Sequence, residues 1–260
     1  MLATHEWKPA EQRGPERFAV LVHGVTGWHR TWWRVGPALA ERGWRVVAVD
    51  QRGHGHSPRI NGATSVPELA DDLATTIEGL GRPADALIGH SLGGAVSAEL
   101  AFTRPDLVRR LVLEDPPAIS RVRDEAWLAN LEREMHAAVD RPEDEVRREL
   151  VENPSWLEED ARQDVEGRAL ADREGLLATF RRETGARVLD LAPRQTVPAL
   201  YLLADESRSV FPPEMRRRLE QTMPANARIV VVDGAGHVIH RDRFDEWMRI
   251  VGDWLEEATL

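Results

Sequence analysis

The hexapeptide Gly89-His90-Ser91-Leu92-Gly93-Gly94 constrains the fold of this chain more than any other stretch. It directly follows the apolar run Ala86-Leu87-Ile88 and opens a segment of helical character, Leu92–Arg104. A serine on such a sharp strand-to-helix turn must adopt a strained backbone, and only small neighbours at Gly89 and Gly93 tolerate the close packing. The turn lifts the Ser91 hydroxyl above the sheet and sets it at a helix N-terminus. There the Leu92 amide and the helix dipole face a developing oxyanion.

Short apolar runs alternate with amphipathic segments along the rest of the chain, the pattern of a parallel sheet with crossover helices. Strands are expected near Phe18–Val22, Trp44–Val49, Asp85–Ile88, Leu111–Glu114, Ala199–Leu203 and Arg228–Val232. Helices are expected at Thr31–Arg42, Val66–Leu80, Leu92–Arg104, Pro213–Thr222 and Arg241–Glu257, with Pro37 delaying or bending the first. About 17 residues precede the first of these strands, leaving room for at most a short antiparallel element. From Pro117 to Pro193 the alternation stops, and an Arg-, Glu-, Asp-, Leu- and Ala-rich stretch reads as several helices. Their expected boundaries lie near Pro142, Asn153-Pro154, Gly175 and Gly185. The fold class is thus α/β, a mostly parallel sheet with helices on both faces. Residues 1–117 and 194–260 form the core domain, and residues 118–193 form an all-helical lid over the strand ends.

Composition narrows the chemistry. With 34 basic and 44 acidic residues the net charge is −10, so the positive field that nucleic acid or an anionic membrane surface requires is lacking. No cysteine is present, which removes disulfides, thiolate metal sites and a cysteine nucleophile. Lys8 is the only lysine, leaving a lysine-based mechanism without a plausible residue. No apolar stretch could span a bilayer or serve as a signal peptide, and a soluble cytoplasmic protein is expected. The histidines and carboxylates do not fall at metal-ligand spacings, so neither metal nor organic cofactor is expected.

Two further glycine turns stand at strand ends. His23-Gly24-Val25-Thr26-Gly27 can point a backbone amide, most simply that of Val25, at the same oxyanion, with His23 bracing the turn. Gly234-Ala235-Gly236-His237 places a histidine within reach of a serine hydroxyl as general base. His240 competes for that role but falls at the start of the last helix. The polar loop Asp50–Ser57 reads as structural.

In order, H-G-x-x-G, R-G-x-G-x-S (Arg52 to Ser57), G-H-S-L-G-G and a late G-x-G-H resemble the α/β-hydrolase superfamily over nearly the whole chain outside the lid. The resemblance implies Ser91 as nucleophile, His237 as base, and the Val25 and Leu92 amides as oxyanion hole. The acid departs from the common pattern. After the seventh strand of the family fold, the second to last expected here, this chain reads Leu203-Ala204-Asp205-Glu206-Ser207-Arg208, which puts Ser207 in the usual acid slot. Some relatives, haloalkane dehalogenases and certain lactone hydrolases among them, place the acid at the end of the preceding strand, here Leu111-Val112-Leu113-Glu114-Asp115. Asp115 matches an aspartate common there for structural reasons. A glutamate after Leu-Val-Leu is costly to bury without a partner such as an imidazolium, so Glu114 is the expected acid and Asp205 the alternative.

A serine nucleophile implies acyl transfer to water and argues against dehalogenase or epoxide-hydrolase chemistry, where the family uses aspartate. The substrate expected is a small-molecule carboxylic ester or lactone. Amide or C–C bond hydrolysis, perhydrolysis and a slow ligand-sensing role on the same fold are the alternatives. Trp28, Trp32 and Trp33 cluster after the oxyanion turn, while Trp127 and Trp156 lie in the lid. Trp28, Trp127 and Trp156 are expected to give the pocket apolar, aromatic walls.

Overall fold

Seven strands carry the fold in a computed structural model that describes residues 1–11 and 14–257. The few remaining residues of the expected core domain lie outside the described residues. The strands are β1 (Thr4–Trp7), β2 (Arg17–Val22), β3 (Trp44–Val49), β4 (Ala86–His90), β5 (Leu111–Glu114), β6 (Ala199–Leu203) and β7 (Ala227–Val231). They form one sheet in the order β1-β3-β2-β4-β5-β6-β7. Every neighbouring pair is parallel except β1 with β3. The short antiparallel element is therefore a single four-residue strand at one edge.

Helices α1 (Val35–Glu41), α2 (Val66–Gly79) and α3 (Leu92–Thr103) fall among the first strands. Between β5 and β6 the chain forms α4 (Glu125–Asp140), α5 (Pro142–Glu152), α6 (Glu158–Leu170), α7 (Arg173–Phe180) and α8 (Val188–Leu191). Helix α9 (Pro213–Thr222) precedes β7, and α10 (Ile239–Asp242) and α11 (Phe244–Glu256) close the chain. Strand side chains alternate, so each strand feeds two cores. Val20, Leu87, Leu111, Leu113 and Tyr201 pack with Leu73 of α2 and Val96 and Leu100 of α3. Leu21, Ile88, Val112, Leu200 and Leu202 pack with Leu39 of α1 and Trp247, Val251 and Trp254 of α11. Helix α11 shows the helical spacing this demands, with Trp247, Met248, Val251, Trp254 and Leu255 buried. Helix α3 is covered on all sides, and Leu92 through Ala101 are buried without interruption.

Some expected elements divide. The first helix becomes a 3-10 turn, His29–Trp32, followed by α1. Pro37 then falls in the first turn, where its missing N–H costs nothing. The last helix splits at Arg243, whose φ of −137° interrupts it between α10 and α11. Gly175 does not end a helix. The break lies earlier, at Ala171-Asp172, and Asp172 caps α7 by accepting from the Gly175 amide at 3.3 Å.

The helical insertion is fastened to the core through α6 and the loop before it. Trp28 Nε1 donates to the Gln163 carbonyl (3.1 Å) and Trp33 Nε1 to Asp160 (2.9 Å). Ser155 Oγ and Trp156 Nε1 donate to Asp242 at 2.8 and 2.9 Å, and Arg241 Nη1 donates to Asp164 at 2.7 Å. Four of these core residues, Trp28, Trp33, Arg241 and Asp242, sit beside the two glycine turns that the sequence singles out.

Candidate active site

Ser91 stands between β4 and α3 with φ 52° and ψ −119°, the left-handed strain expected of the turn. Its amide donates to the Glu114 carbonyl (2.9 Å) and its carbonyl accepts from Ala95 (3.1 Å). The glycines on either side are sterically obligatory. A Cβ on Gly89 would lie 2.3 Å from the Gly93 carbonyl oxygen, and one on Gly93 would lie 2.3 Å from that of Val22. The neighbouring glycine turn approaches as closely, since a Cβ on Gly24 would sit 3.0 Å from the Ser91 Cβ. Val25 and Leu92 are thereby brought to the same cavity as Ser91, and His237 lines it too. Leu92 opens α3, so its amide has no partner within the helix.

His237 Nδ1 donates to Asp115 Oδ2 at 2.6 Å. Asp115 is fully buried, with φ of 40°, and it also accepts from the Ala204 and Val210 amides (3.2 and 3.0 Å) and from Ser209 Oγ. This overturns the expectation that Glu114 meets His237. Glu114 is the last residue of β5 and shares the face of Val112, which looks toward α11. Its carboxylate accepts from the His240 amide (2.9 Å), from His240 Nδ1 (2.9 Å) and from Trp247 Nε1 (3.0 Å). The sequence argument that a buried glutamate needs an imidazole was sound, but the imidazole is that of His240. Asp115, one residue on, leaves the strand through its left-handed turn and reaches the other histidine.

Asp205 does not touch His237 either. It accepts from Gly234 N (2.9 Å) and from Ser207 N and Oγ, hydrogen bonds that hold its carboxyl at about 2. It braces the turn from which His237 emerges. His90 braces it from the other side, its Nε2 donating to the His237 carbonyl at 3.1 Å. Burial holds the His90 imidazole well below its ordinary range, with His237 and His240 adding to the effect. His23 is structural: Nδ1 donates to the Gly24 carbonyl (2.7 Å), and Nε2 accepts from Gln51 N (3.1 Å). Burial lowers its pKa to about 4 and that of His54 to about 3. Burial would raise Asp50, yet hydrogen bonds from His29 and the His56 amide outweigh it and keep the carboxyl at about 2.

The cavity over Ser91 has a volume of about 550 Å³. Trp127 and Phe180 form aromatic wall, ring to ring at 5.1 Å. Trp28 and Trp156 are not part of that wall. Their indole N–H groups are spent fastening the insertion, and the Arg241 guanidinium covers the Trp156 ring at 4.6 Å. Among the described residues no group of three His, Cys, Asp or Glu side chains could hold a metal ion, and no helix is long and apolar enough to cross a membrane.

Residues 20–244 match the family model described as alpha/beta hydrolase fold. The chain belongs to the α/β-hydrolase family. This hydrolase is 30% identical over 256 residues to the mouse sn-1-specific diacylglycerol lipase ABHD11, covering 91% of its own length and 80% of the relative's. Among solved structures it resembles the enol-lactonase from Burkholderia xenovorans LB400, at 26% identity and a TM-score of 0.77, covering 98% and 96% of the two chains. It shares its fold with a thermophilic esterase from Thermogutta terrifontis, at 24% identity and a TM-score of 0.73, covering 98% and 92%.

The buried groups of the α/β-hydrolase generate two predictions. Removing the Glu114 carboxylate strands three buried donors, so Glu114→Ala should destabilise the protein by roughly 3–5 kcal/mol in urea unfolding. The second concerns acid stability. His23 and His54 have folded pKa values below the ordinary 6.5, so below that pH the unfolded chain binds protons that the folded chain does not. Stability should therefore fall as pH drops from 6.5 toward 4, by roughly 2 kcal/mol for each of these imidazoles at pH 5. His54→Gln should flatten the slope of unfolding free energy against pH by up to about one proton.

Proposed function

We propose that this hydrolase cleaves a carboxylic ester or lactone by acyl transfer through Ser91. The observation that carries the reading is the His237–Asp115 hydrogen bond at the edge of the cavity that also exposes Ser91. Asp115 accepts the Nδ1 proton, which leaves Nε2 of His237 as the free base. Nε2 takes the Ser91 proton as Oγ attacks the substrate carbonyl, then returns it to the leaving alcohol. Water repeats the sequence on the acyl-enzyme and releases the acid. The tetrahedral oxyanion is received by the Val25 amide of the turn after β2 and the Leu92 amide at the head of α3, a preorganised site whose loss typically costs two to three orders of magnitude.

Asp115 suits its role because donors from the loop after β6 fix it before any substrate arrives. Its carboxylate stabilises the imidazolium that forms across the hydrogen bond. The helical insertion acts as a lid, supplying Trp127 and Phe180 to the cavity wall, and these rings favour a hydrophobic or aromatic acyl or alcohol group. The mouse diacylglycerol lipase and the Burkholderia enol-lactonase act on an ester and a lactone by their names, and both support this substrate class.

Covalent labelling tests the nucleophile. A fluorophosphonate should label the parent protein and leave Ser91→Ala unlabelled, and turnover of 4-nitrophenyl butyrate should fall by at least about 10³-fold in that variant. Labelling that persists in Ser91→Ala contradicts the proposal.

A further inference from the structure

The Ser91 cavity holds an unusual charge for a chain of net charge −10. Arg121 and Arg123, both from the segment between β5 and α4, line it, and no Asp or Glu is among its lining residues. Several other arginines of the insertion do have acidic partners. Arg148 faces Glu145, Glu149 and Glu152, Arg162 faces Glu143 and Glu158, and Arg168 lies between Glu149 and Asp164. Among the described residues no carboxylate reaches ion-pair distance of Arg121 or Arg123. Asp124, the adjacent acid, spends Oδ1 capping α4 through the Trp127 amide at 2.8 Å.

Arg123 is also held in place. Its amide donates to the Phe180 carbonyl (3.1 Å), and its guanidinium carbon lies 4.8 Å from the centre of the Trp127 ring. It is half-buried, while Arg121 stands exposed at the rim. Burial and then the neighbouring Arg121 charge depress the Arg123 pKa by more than the Asp124 charge raises it, so this guanidinium is desolvated beside a like charge. An anion entering the cavity would relieve both costs at once. A neutral substrate would relieve neither.

We infer that Arg121 and Arg123 bind a carboxylate on the substrate, so that the ester or lactone attacked by Ser91 is an anionic one. The inference rests on the Ser91 reading and narrows it. The aromatic wall takes the chain between the two groups, the guanidinium pair takes the carboxylate by charge-assisted hydrogen bonds, and the scissile carbonyl is left at Ser91. Fixing a remote group in this way orients the carbonyl and makes the two arginines specificity-determining, without contact to the reacting atoms.

Matched substrates test it: the 4-nitrophenyl hemiesters of adipic, pimelic and suberic acids, each beside its methyl-capped neutral counterpart. For at least one chain length the parent should favour the anionic ester by about tenfold or more in kcat/KM, mainly through KM, and added salt should erode the preference. Arg121→Gln/Arg123→Gln should collapse the anionic-to-neutral ratio, and Arg121→Lys/Arg123→Lys should restore part of it. Binding to Ser91→Ala by calorimetry reads recognition without chemistry. The anionic ester should bind more tightly than the neutral one, and adding the two glutamine substitutions should abolish the difference. Failure of the Ser91 reading would appear as neither ester being turned over, with the binding difference intact. Equal or weaker binding and turnover of the anionic esters at every chain length, or a ratio untouched by the arginine substitutions, would overturn the inference.

Discussion

At the carboxyl end of β5 two adjacent carboxylates turn to opposite sides of the sheet, and the upper surface of the molecule is organised by that divergence. Glu114 keeps the strand's alternation and faces α11, where Trp247 and His240 satisfy it. Asp115 takes the other side, and its left-handed backbone carries it out of the strand to meet His237. Each buried acid therefore owns one imidazole. Two histidines three residues apart are fixed by two acids one residue apart, and exchanging the pairs would require turning a strand end over. The Glu114–His240 pair lies under the sheet end with both residues buried, whereas His237 remains partly exposed to the cavity. Burial thus separates a pair that supports the loop from a pair that can meet a ligand.

Around this point the molecule spends an unusual number of polar groups on positioning. His90 holds the His237 carbonyl, Asp205 holds Gly234, and Asp242 accepts from the Gly236 amide while also accepting from Ser155 and Trp156 of the insertion. The turn that carries His237 is gripped from β4, from the loop after β6, from α10 and, through α10, from the insertion. His23 and Gln51 do the same for the turn that carries Val25. Low-dielectric burial strengthens these bonds and makes leaving any of them unmade expensive, which is how loops acquire the rigidity that a reaction centre needs.

Much of this was legible in the sequence, and the rest was hidden for physical reasons. Apolar runs such as Trp44–Val49, Leu111–Glu114 and Ala199–Leu203 coincide with strands because strands covered on both faces are rich in apolar residues. Ser91 and His237 were visible because glycine turns at strand ends leave a spacing signature. The carboxylate that meets His237 lies one residue beyond the one the sequence favours. The cost of burying Glu114 was correctly weighed, but its partner follows from parity: Glu114 shares a face with Val112, which packs against α11, and His240 opens onto that face. Asp115 escapes by a positive φ that no residue pattern announces. Trp28 and Trp156 were read as pocket walls from their aromaticity. Their N–H groups are engaged elsewhere, donating to the Gln163 carbonyl and to Asp242.

Turnover of a chromogenic ester by Asp115→Asn and Glu114→Gln, measured side by side well below their unfolding temperatures, tests the division of labour between the two acids most directly. Asp115→Asn should lower kcat by roughly 10³–10⁴-fold, because an amide at that position favours the wrong His237 tautomer. Glu114→Gln should lower stability and leave the folded protein's kcat within about tenfold of the parent, since its partners lie beneath the site. A collapse of kcat in Glu114→Gln with Asp115→Asn nearly unaffected would contradict the account.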